Sequence, residues 1–298
     1  MKIEERRKRL IICIKKNLPQ HFYGLYICYK YKKVLGKKCN LRNPKTYTEK
    51  IQWSKINRTD PIISKLSDKI AVRSWVLEKV GAEYLVPTIG GVFSSVNEMN
   101  FEVLPDKFVI KANHGSGYNL VVNNKSELDL DKTKKIIEGW LEENFAYNTF
   151  EMQYKDISPK LYIEQNLLSG DMNDLPDYKF FCFNGKVFCS YTKTDCVFDH
   201  FKGKLGIFDR EYNLMPYYRE GYTPIRNQLP KPDNYDKMVE IAEKLSKGFS
   251  HVRVDLYNIK GKIYFGEMTF STGAGYCRFV PEEFDLILGN QWDLNQGI

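Results

Sequence analysis

The residues most capable of chemistry lie between positions 251 and 275, in HVRVDLYNIKGKIYFGEMTFSTGAG. Two β-rich runs flank Ile259-Lys260-Gly261, and Gly261 suits the left-handed last position of a three-residue hairpin loop. Such a loop sets Arg253 opposite Glu267 and Asp255 opposite Phe265. Asp255 and Glu267 then become diagonal neighbours on one face, with Arg253 and Thr269 beside them. A loop of two or four residues would put the two acids on opposite faces. Acids are depleted in strands, so the pair asks for a reason. It is either a solvated face with a cross-strand Arg–Glu pair or a Mg²⁺ site, because hard cations take carboxylate oxygens and leave the rest of the shell to water and phosphate.

A second stretch, NHGSGYN at 113–119, follows a strand that carries Lys111. Glycines let backbone N–H groups turn towards one anion, and Lys111 adds a point charge beside it. The Walker spacing is absent, so the loop is no P-loop; seven residues are more than a tight turn between two strands needs. Glu164 is an acid in an apolar strand, LYIEQNL, and alone it reads as a strand-end acid reaching solvent. Asp177 and Lys179 alternate on one strand face, most simply as a surface pair. Lys69, after an Asp68 cap, reads by default as an exposed helix lysine.

These residues need elements to place them. Asn43-Pro44 is a helix start leading into TYTEKIQWSKI, and Ser67-Asp68 opens KIAVRSWVLEKV, which stops at Gly81. Strands are expected over 86–92, 108–111, 120–122 and 161–167. A hairpin over 177–183 and 186–191 turns at Asn184-Gly185. Residues 131–145 form an amphipathic helix with Ile136, Ile137, Trp140, Leu141 and Phe145 inward. Residues 233–247 form another, with Met238, Ile241, Ala242 and Leu245 inward, and Pro281-Glu282-Glu283 opens a last helix. Antiparallel strands with helices between them make an α+β protein. No G-x-G-x-x-G follows a strand, so a doubly wound nucleotide fold is a poor fit.

At 298 residues the chain can bury a full core in two lobes. It holds no apolar run of membrane-spanning length and no signal peptide. Seven Cys without C-x-x-C spacing read as thiols kept reduced in a cytoplasm, and a zinc site is not expected. The net charge of +8 is local: residues 1–39 hold twelve Lys/Arg against two Glu, leaving the remainder slightly acidic. Residues 1–18 read as a short basic helix with Leu10, Ile11, Ile14 and Leu18 along one side. Tyr23, Tyr26, Tyr29 and Tyr31 then alternate with lysines. This arm suits a helical extension packed on the body, an anionic membrane surface or lipid-linked partner, or, with less weight, single-stranded nucleic acid. No nucleic acid is expected as partner.

The order of these pieces resembles the ATP-grasp enzymes, and more closely their teichuronopeptide-biosynthesis (TupA-like) branch. The resemblance runs from about Leu41 to the C-terminus through LRNPKTYTEKIQW, SDKIAVRSWV, FVIKANHGSG, DYKFFCFNGK, VRVDLYNIKGKIYFGEMTF and PEEFDLILG. It implies two antiparallel sheet lobes clamping ATP, one over about 43–163 and one over about 164–298, behind a basic helical region at 1–42. Lys69 and Lys111 match the ATP-binding lysines, and Gly115, Ser116 and Gly117 match the flexible loop over the phosphates. Glu164, Gln165, Asn166 and Leu167 match the linking strand that meets adenine, and Lys179 matches a basic residue on phosphate. Arg253 matches the arginine near the transferred phosphoryl group. Asp255 and Glu267 match the Mg²⁺-bridging acids, with Thr269 where many relatives place a third ligand, Asn. The nucleotide-fold domain that usually precedes the lobes has no counterpart, and helices stand in its place.

The activity this implies is ATP-dependent carboxylate–amine ligation through an acyl phosphate, with Lys111 and Arg253 as catalytic groups. Ser271, Thr272, Gly273, Ala274 and Gly275 would form the acceptor floor. Family context suggests a sugar acid of a bacterial surface-polysaccharide precursor, an amine, and a cytoplasmic protein touching the inner membrane face or a lipid-linked substrate through its arm. Two other classes remain: a glycosyltransferase, against which the missing Asp-x-Asp counts, and a non-catalytic nucleotide- or polymer-binding subunit, which Thr269 and the arm favour.

Overall fold

The structure, a computed structural model, describes residues 10–58, 60–168, 174–195 and 203–298. Residues 1–9 of the expected basic helix lie outside them. Two sheets carry the molecule, antiparallel but for one short parallel pair at an edge of the larger. The smaller has the order β1-β4-β2-β3, from β1 (Thr88–Phe93), β2 (Phe108–Ala112), β3 (Asn119–Val122) and β4 (Leu161–Gln165). Alternation along its strands divides two faces. Phe108, Ile110, Leu161 and Ile163 are buried with Ile137 of the helix Leu130–Glu142. Lys111, Tyr162 and Glu164 take the other face. Ile136, expected inside, is 40% exposed, because the helix buries the stripe through Thr133 and Ile137 instead.

The larger sheet is built from β5 (Asp177–Phe183), β6 (Lys186–Thr194), β7 (Lys204–Asp209), β9 (Thr223–Pro224), β10 (His251–Ile259) and β11 (Lys262–Thr269), in the order β11-β10-β5-β6-β7-β9. Short strands β8 (Tyr218–Arg219) and β12 (Phe279–Val280) pair separately. On one face Phe180, Val254 and Leu256 pack on Met238, Ile241 and Leu245 of the helix Tyr235–Ser246. On the other, Phe181, Tyr191 and Ile207 meet Tyr47 and Ile51 of the helix Tyr47–Asn57 and Phe284 and Leu288 of the helix Glu283–Gln291. The chain leaves the smaller sheet at Gln165 and enters the larger one at Asp177.

Two helix starts differ from expectation. The helix expected to open at Asn43-Pro44 begins at Tyr47 instead, because Thr46 caps it in a reciprocal capping box with Glu49. The segment opened by Asp68 is a turn before it becomes the helix Val72–Lys79; Asp68 Oδ1 accepts from the backbone N–H groups of Ile70 and Ala71. Before it lies a short helix, Pro61–Ser67, capped by Asp60 with Pro61 in its first turn.

The hairpin of β10 and β11 turns differently from expectation. Ile259 pairs with Lys262, so the loop is the two residues Lys260 and Gly261, both at positive φ, and not three. That loop alone would separate the acids. A bulge restores them: Leu256 pairs with Phe265, but Asp255 pairs with Glu267, leaving Gly266 as the extra residue. Asp255 and Glu267 are therefore directly opposed, and Arg253 faces Thr269. A Cβ on Gly266 would stand 3.1 Å from the Asp255 carbonyl oxygen, which is why the bulge is built on glycine.

The N-terminal region is docked where it is described. The helix Tyr23–Leu35 buries Tyr23, Ile27 and Tyr31. Tyr23 stacks on Phe150 at 4.4 Å, and the Tyr31 hydroxyl lies 2.7 Å from Thr48 Oγ1. Leu10, Ile11 and Ile14 remain exposed, as do Leu25 and Tyr29. Among the described residues no helix is long and apolar enough to cross a membrane.

Candidate active site

The register of three neighbouring strands assembles a charged row. Lys179 on β5 pairs with Asp255 on β10, which pairs with Glu267 on β11. Arg253, one pleat along, ties the row together. Its Nε donates to Asp255 Oδ1 at 2.7 Å, and its Nη2 to Asp255 Oδ2 at 2.8 Å, Glu267 Oε1 at 3.1 Å and Thr269 Oγ1 at 3.0 Å. Nη1 donates to Thr272 Oγ1 at 3.3 Å. Lys179 Nζ lies 2.5 Å from both Asp177 and Asp255.

The second half comes from the smaller sheet. Lys111 Nζ meets Glu164 Oε2 at 2.5 Å, and Arg73 approaches the other Glu164 oxygen at 3.5 Å. Glu164 is thus the shared partner of two cations and not a solvated strand end. Lys69 is no exposed helix lysine; it sits in the turn after Asp68 and donates through Nζ to the Gly115 carbonyl. The glycine loop rests on a buried base. Asn113 donates to Asp68 Oδ2 at 3.0 Å and accepts from the Lys160 N–H, while His114 lies 2.9 Å from the Trp140 carbonyl. Above them Ser116 and Gly117 are exposed. Gly115 fits only as glycine, since a Cβ would stand 2.8 Å from the Phe145 and Tyr118 rings.

Electrostatics join the halves. Burial alone would raise the Glu267 carboxyl, but Lys69, then Arg253 and Lys179, hold it down to about 2. Lys69 is itself lowered by burial, with Lys111 adding to the effect and Glu267 opposing it. Burial raises the Asp255 carboxyl against the pull of Arg253 and Lys179, and both cations are held firmly protonated in return. Lys69, in the turn after Asp68 and beside Lys111, therefore acts directly on Glu267 of the larger sheet.

Among the described residues no three His, Cys, Asp or Glu side chains form a metal cage. Two carboxylates and one hydroxyl do converge within hydrogen-bonding distance of a single guanidinium nitrogen. Such an all-oxygen half-shell fits a hard divalent cation that draws its other ligands from phosphate and water. Asp255, Glu267 and Thr269 would hold it.

The other expected residues fall as follows. Gln165 ends β4, and Asn166 donates to Asn123 Oδ1 at 3.0 Å and accepts from the Leu168 N–H. Gln165, Asn166 and Leu168 line a cleft of about 510 Å³ with Pro87, Ile89, Pro105 and Lys107. Leu167 lies in the same connection. Ser271 and Thr272 are buried: Ser271 Oγ donates to Glu151 at 2.6 Å, and Thr272 receives Arg253. Gly273 and Ala274 both adopt left-handed φ, turning the carbonyls of Ala274 and Gly275 onto Gln52 Nε2 at 3.0 and 2.8 Å. Two participants escaped the sequence: Arg73, detectable only as the i+4 neighbour of Lys69, and Lys55, a lysine on the buried side of its helix.

A family description, TupA-like ATPgrasp, matches residues 49–293. The chain belongs to the TupA-like ATP-grasp family. No curated protein matches it. Among solved structures the family member is similar to a D-alanine–D-alanine ligase from Bacillus anthracis complexed with ATP, at 15% identity and TM-score 0.41, covering 77% of this chain and 66% of that one. It is similar to the ATP-grasp ligase PsnB complexed with minimal precursor, Mg and ADP, at 13% identity and TM-score 0.38, covering 75% and 57%. A D-alanine–D-alanine ligase from Helicobacter pylori follows at 12% identity and TM-score 0.37, covering 76% and 61%. The chain spans less than two thirds of the length of each.

Proposed function

We propose that the protein is an ATP-dependent carboxylate–amine ligase. The observation that carries this reading is the electrostatic coupling of Lys69, which also holds the glycine loop and lies near Lys111, to Glu267 of the Arg253–Asp255–Glu267 row. A carboxylate oxygen of the acid attacks the γ-phosphorus of ATP, and ADP leaves. An amine then attacks the acyl carbon of the mixed anhydride, phosphate leaves, and the amine gives its proton to solvent. Little covalent work falls to the protein in such a transfer, so catalysis rests on positioning and on neutralising charge. Lys69 and Lys111 bind phosphate oxygens, and the exposed tip at Ser116 and Gly117 covers them and excludes water. Arg253, released from the carboxylates, stabilises charge on the moving phosphoryl group. Mg²⁺ on Asp255, Glu267 and Thr269 would neutralise the remaining phosphate charge. Gln165, Asn166 and Leu167 line the way to adenine.

The acid is proposed to be a sugar acid of a bacterial surface-polysaccharide precursor, and the protein to act in the cytoplasm. The exposed Leu10, Ile11, Ile14, Leu25 and Tyr29, set among lysines, favour contact with an anionic inner-leaflet surface or a lipid-linked substrate. ADP release measured against panels of uronic acids and amines tests the ligase reading. Release should require one member of each panel; a nucleoside diphosphate freed from a nucleotide sugar with neither ATP nor amine present would point to a glycosyltransferase.

A further inference from the structure

Behind the Ser271–Gly275 turn lies a group of lysines that the ATP chemistry does not use. Lys55 is 2% exposed and Lys15 6% exposed. Lys55 Nζ donates to Gln52 Oε1 at 2.8 Å and to the Ala274 carbonyl at 3.0 Å, and stands 5.0 Å from the centre of the Tyr276 ring. Lys30 Nζ stands 4.9 Å from the same ring. Lys15 Nζ reaches the Asn148 carbonyl at 2.8 Å and lies 4.6 Å from the Tyr26 ring. Residues far apart in sequence thus bring three ammonium groups around two tyrosines.

Among the described residues their counter-charge is incomplete. The carboxylate acting most strongly on Lys30 and Lys55 is Glu151, but its oxygens already accept from Ser271 Oγ and Thr149 Oγ1. None of the three lysines forms an ion pair among the described residues. The lysines weaken one another: burial lowers Lys30 and takes Lys55 to about 7, and in each case neighbouring lysines add to the fall. A second observation is independent of charge. The Tyr276 hydroxyl is buried beside Gln52 and makes no hydrogen bond of good geometry. Clustered buried cations and an orphaned donor are costly unless an anion completes them.

We infer that Lys15, Lys30, Lys55 and the Tyr276 hydroxyl form a subsite for an oxyanion, a phosphate or carboxylate group of the acceptor substrate. This deepens the ligase reading and rests on it for the word acceptor. The site sits behind the turn whose Thr272 touches Arg253, so an anchored anion would extend its substrate towards the phosphoryl-transfer row. Two ammonium groups sharing one tyrosine ring select an anionic group over a neutral sugar. Lys30 is half-buried, the most accessible of the three lysines.

Calorimetric titration of the full chain with inorganic pyrophosphate and with D-glucuronate tests the subsite, each in the presence and absence of a saturating non-hydrolysable ATP analogue with Mg²⁺. At least one anion should bind with the nucleotide site filled, and the one that does names the oxyanion. Lys30→Gln should weaken that binding at least ten-fold, and Lys30→Arg should restore it; Lys55→Met should do the same as Lys30→Gln if it folds. The proposal is overturned if neither anion binds wild type, if the analogue excludes both, or if Lys30→Gln binds as wild type. Nucleotide titration of the same preparations separates the two claims. Failure to bind ATP with a Lys30-dependent anion retained would defeat the ligase reading and leave the anion site. ATP binding with Lys30-independent anion binding would defeat the site alone.

Discussion

Arg253 touches two carboxylates and two threonine hydroxyls at once, so it occupies the side of Asp255 and Glu267 that a cation would share. Asp255→Asn and Glu267→Gln keep shape but remove charge from that half-shell. Each should cut ADP formation by roughly 10²-fold or more in a protein that still folds, with a lowered melting temperature because a buried cation loses a partner; full turnover by either variant would remove the metal assignment. Lys55 gives a pH test of the second cluster. Its folded pKa of about 7 lies below the roughly 10.4 of an unfolded lysine, so between those values the unfolded chain holds a proton that the folded chain has shed. Stability relative to Lys55→Met should therefore rise with pH from about 7 to 10, which urea melts at pH 7, 8 and 9 can follow. A falling or flat difference would mean that Lys55 stays charged when buried.

At the scale of elements, the Gly266 bulge decides whether the site exists. A β-branched residue there must push against the Asp255 carbonyl and the Tyr257 ring, which a Cβ would meet at 3.1 and 3.3 Å. Gly266→Val should cost about 1–3 kcal/mol by overpacking, but nucleotide turnover should fall further than that loss explains, because a closed bulge carries Glu267 to the other face. Equal losses in a denaturant melt and an ADP assay would argue against the bulge. This feature also marks the limit of the sequence. The two acids and their common face were legible from residue types, yet by the wrong route: a three-residue loop and a two-residue loop with a bulge give the same facing, and Gly266 alone does not say which. The Asn184-Gly185 hairpin and the helix Tyr235–Ser246 were plain because turn chemistry and apolar period agree there. Arg73 and Lys55 were hidden because a lysine or arginine on a helix is usually solvated, and only tertiary packing turns it inward.

For the whole molecule, the N-terminal region and the two sheets act as one packed body. Tyr23, Ile27 and Tyr31 are buried against residues from the first lobe and the helix after Thr46. Each buried side chain of this kind contributes roughly 1.5–3 kcal/mol, so deleting residues 1–39 should lower stability by several kcal/mol and impair folding. A truncated chain that melts like wild type would show the region to be an independent arm. Full-length protein should also co-sediment with anionic vesicles at low salt and release at about 1 M, where the Debye length is near 3 Å; protein left in the supernatant at low salt would end the membrane proposal. The central claim is that two sheets close on one nucleotide through Lys111 from one side and Glu267 from the other. Equilibrium titration of ATP, with and without Mg²⁺, into wild type, Lys111→Ala and Glu267→Gln measures it directly. Wild type should bind tightly only with Mg²⁺. Lys111→Ala should lose roughly 1–3 kcal/mol of affinity in either condition, and Glu267→Gln should lose the Mg²⁺ dependence. ATP affinity equal in all three proteins would contradict the account.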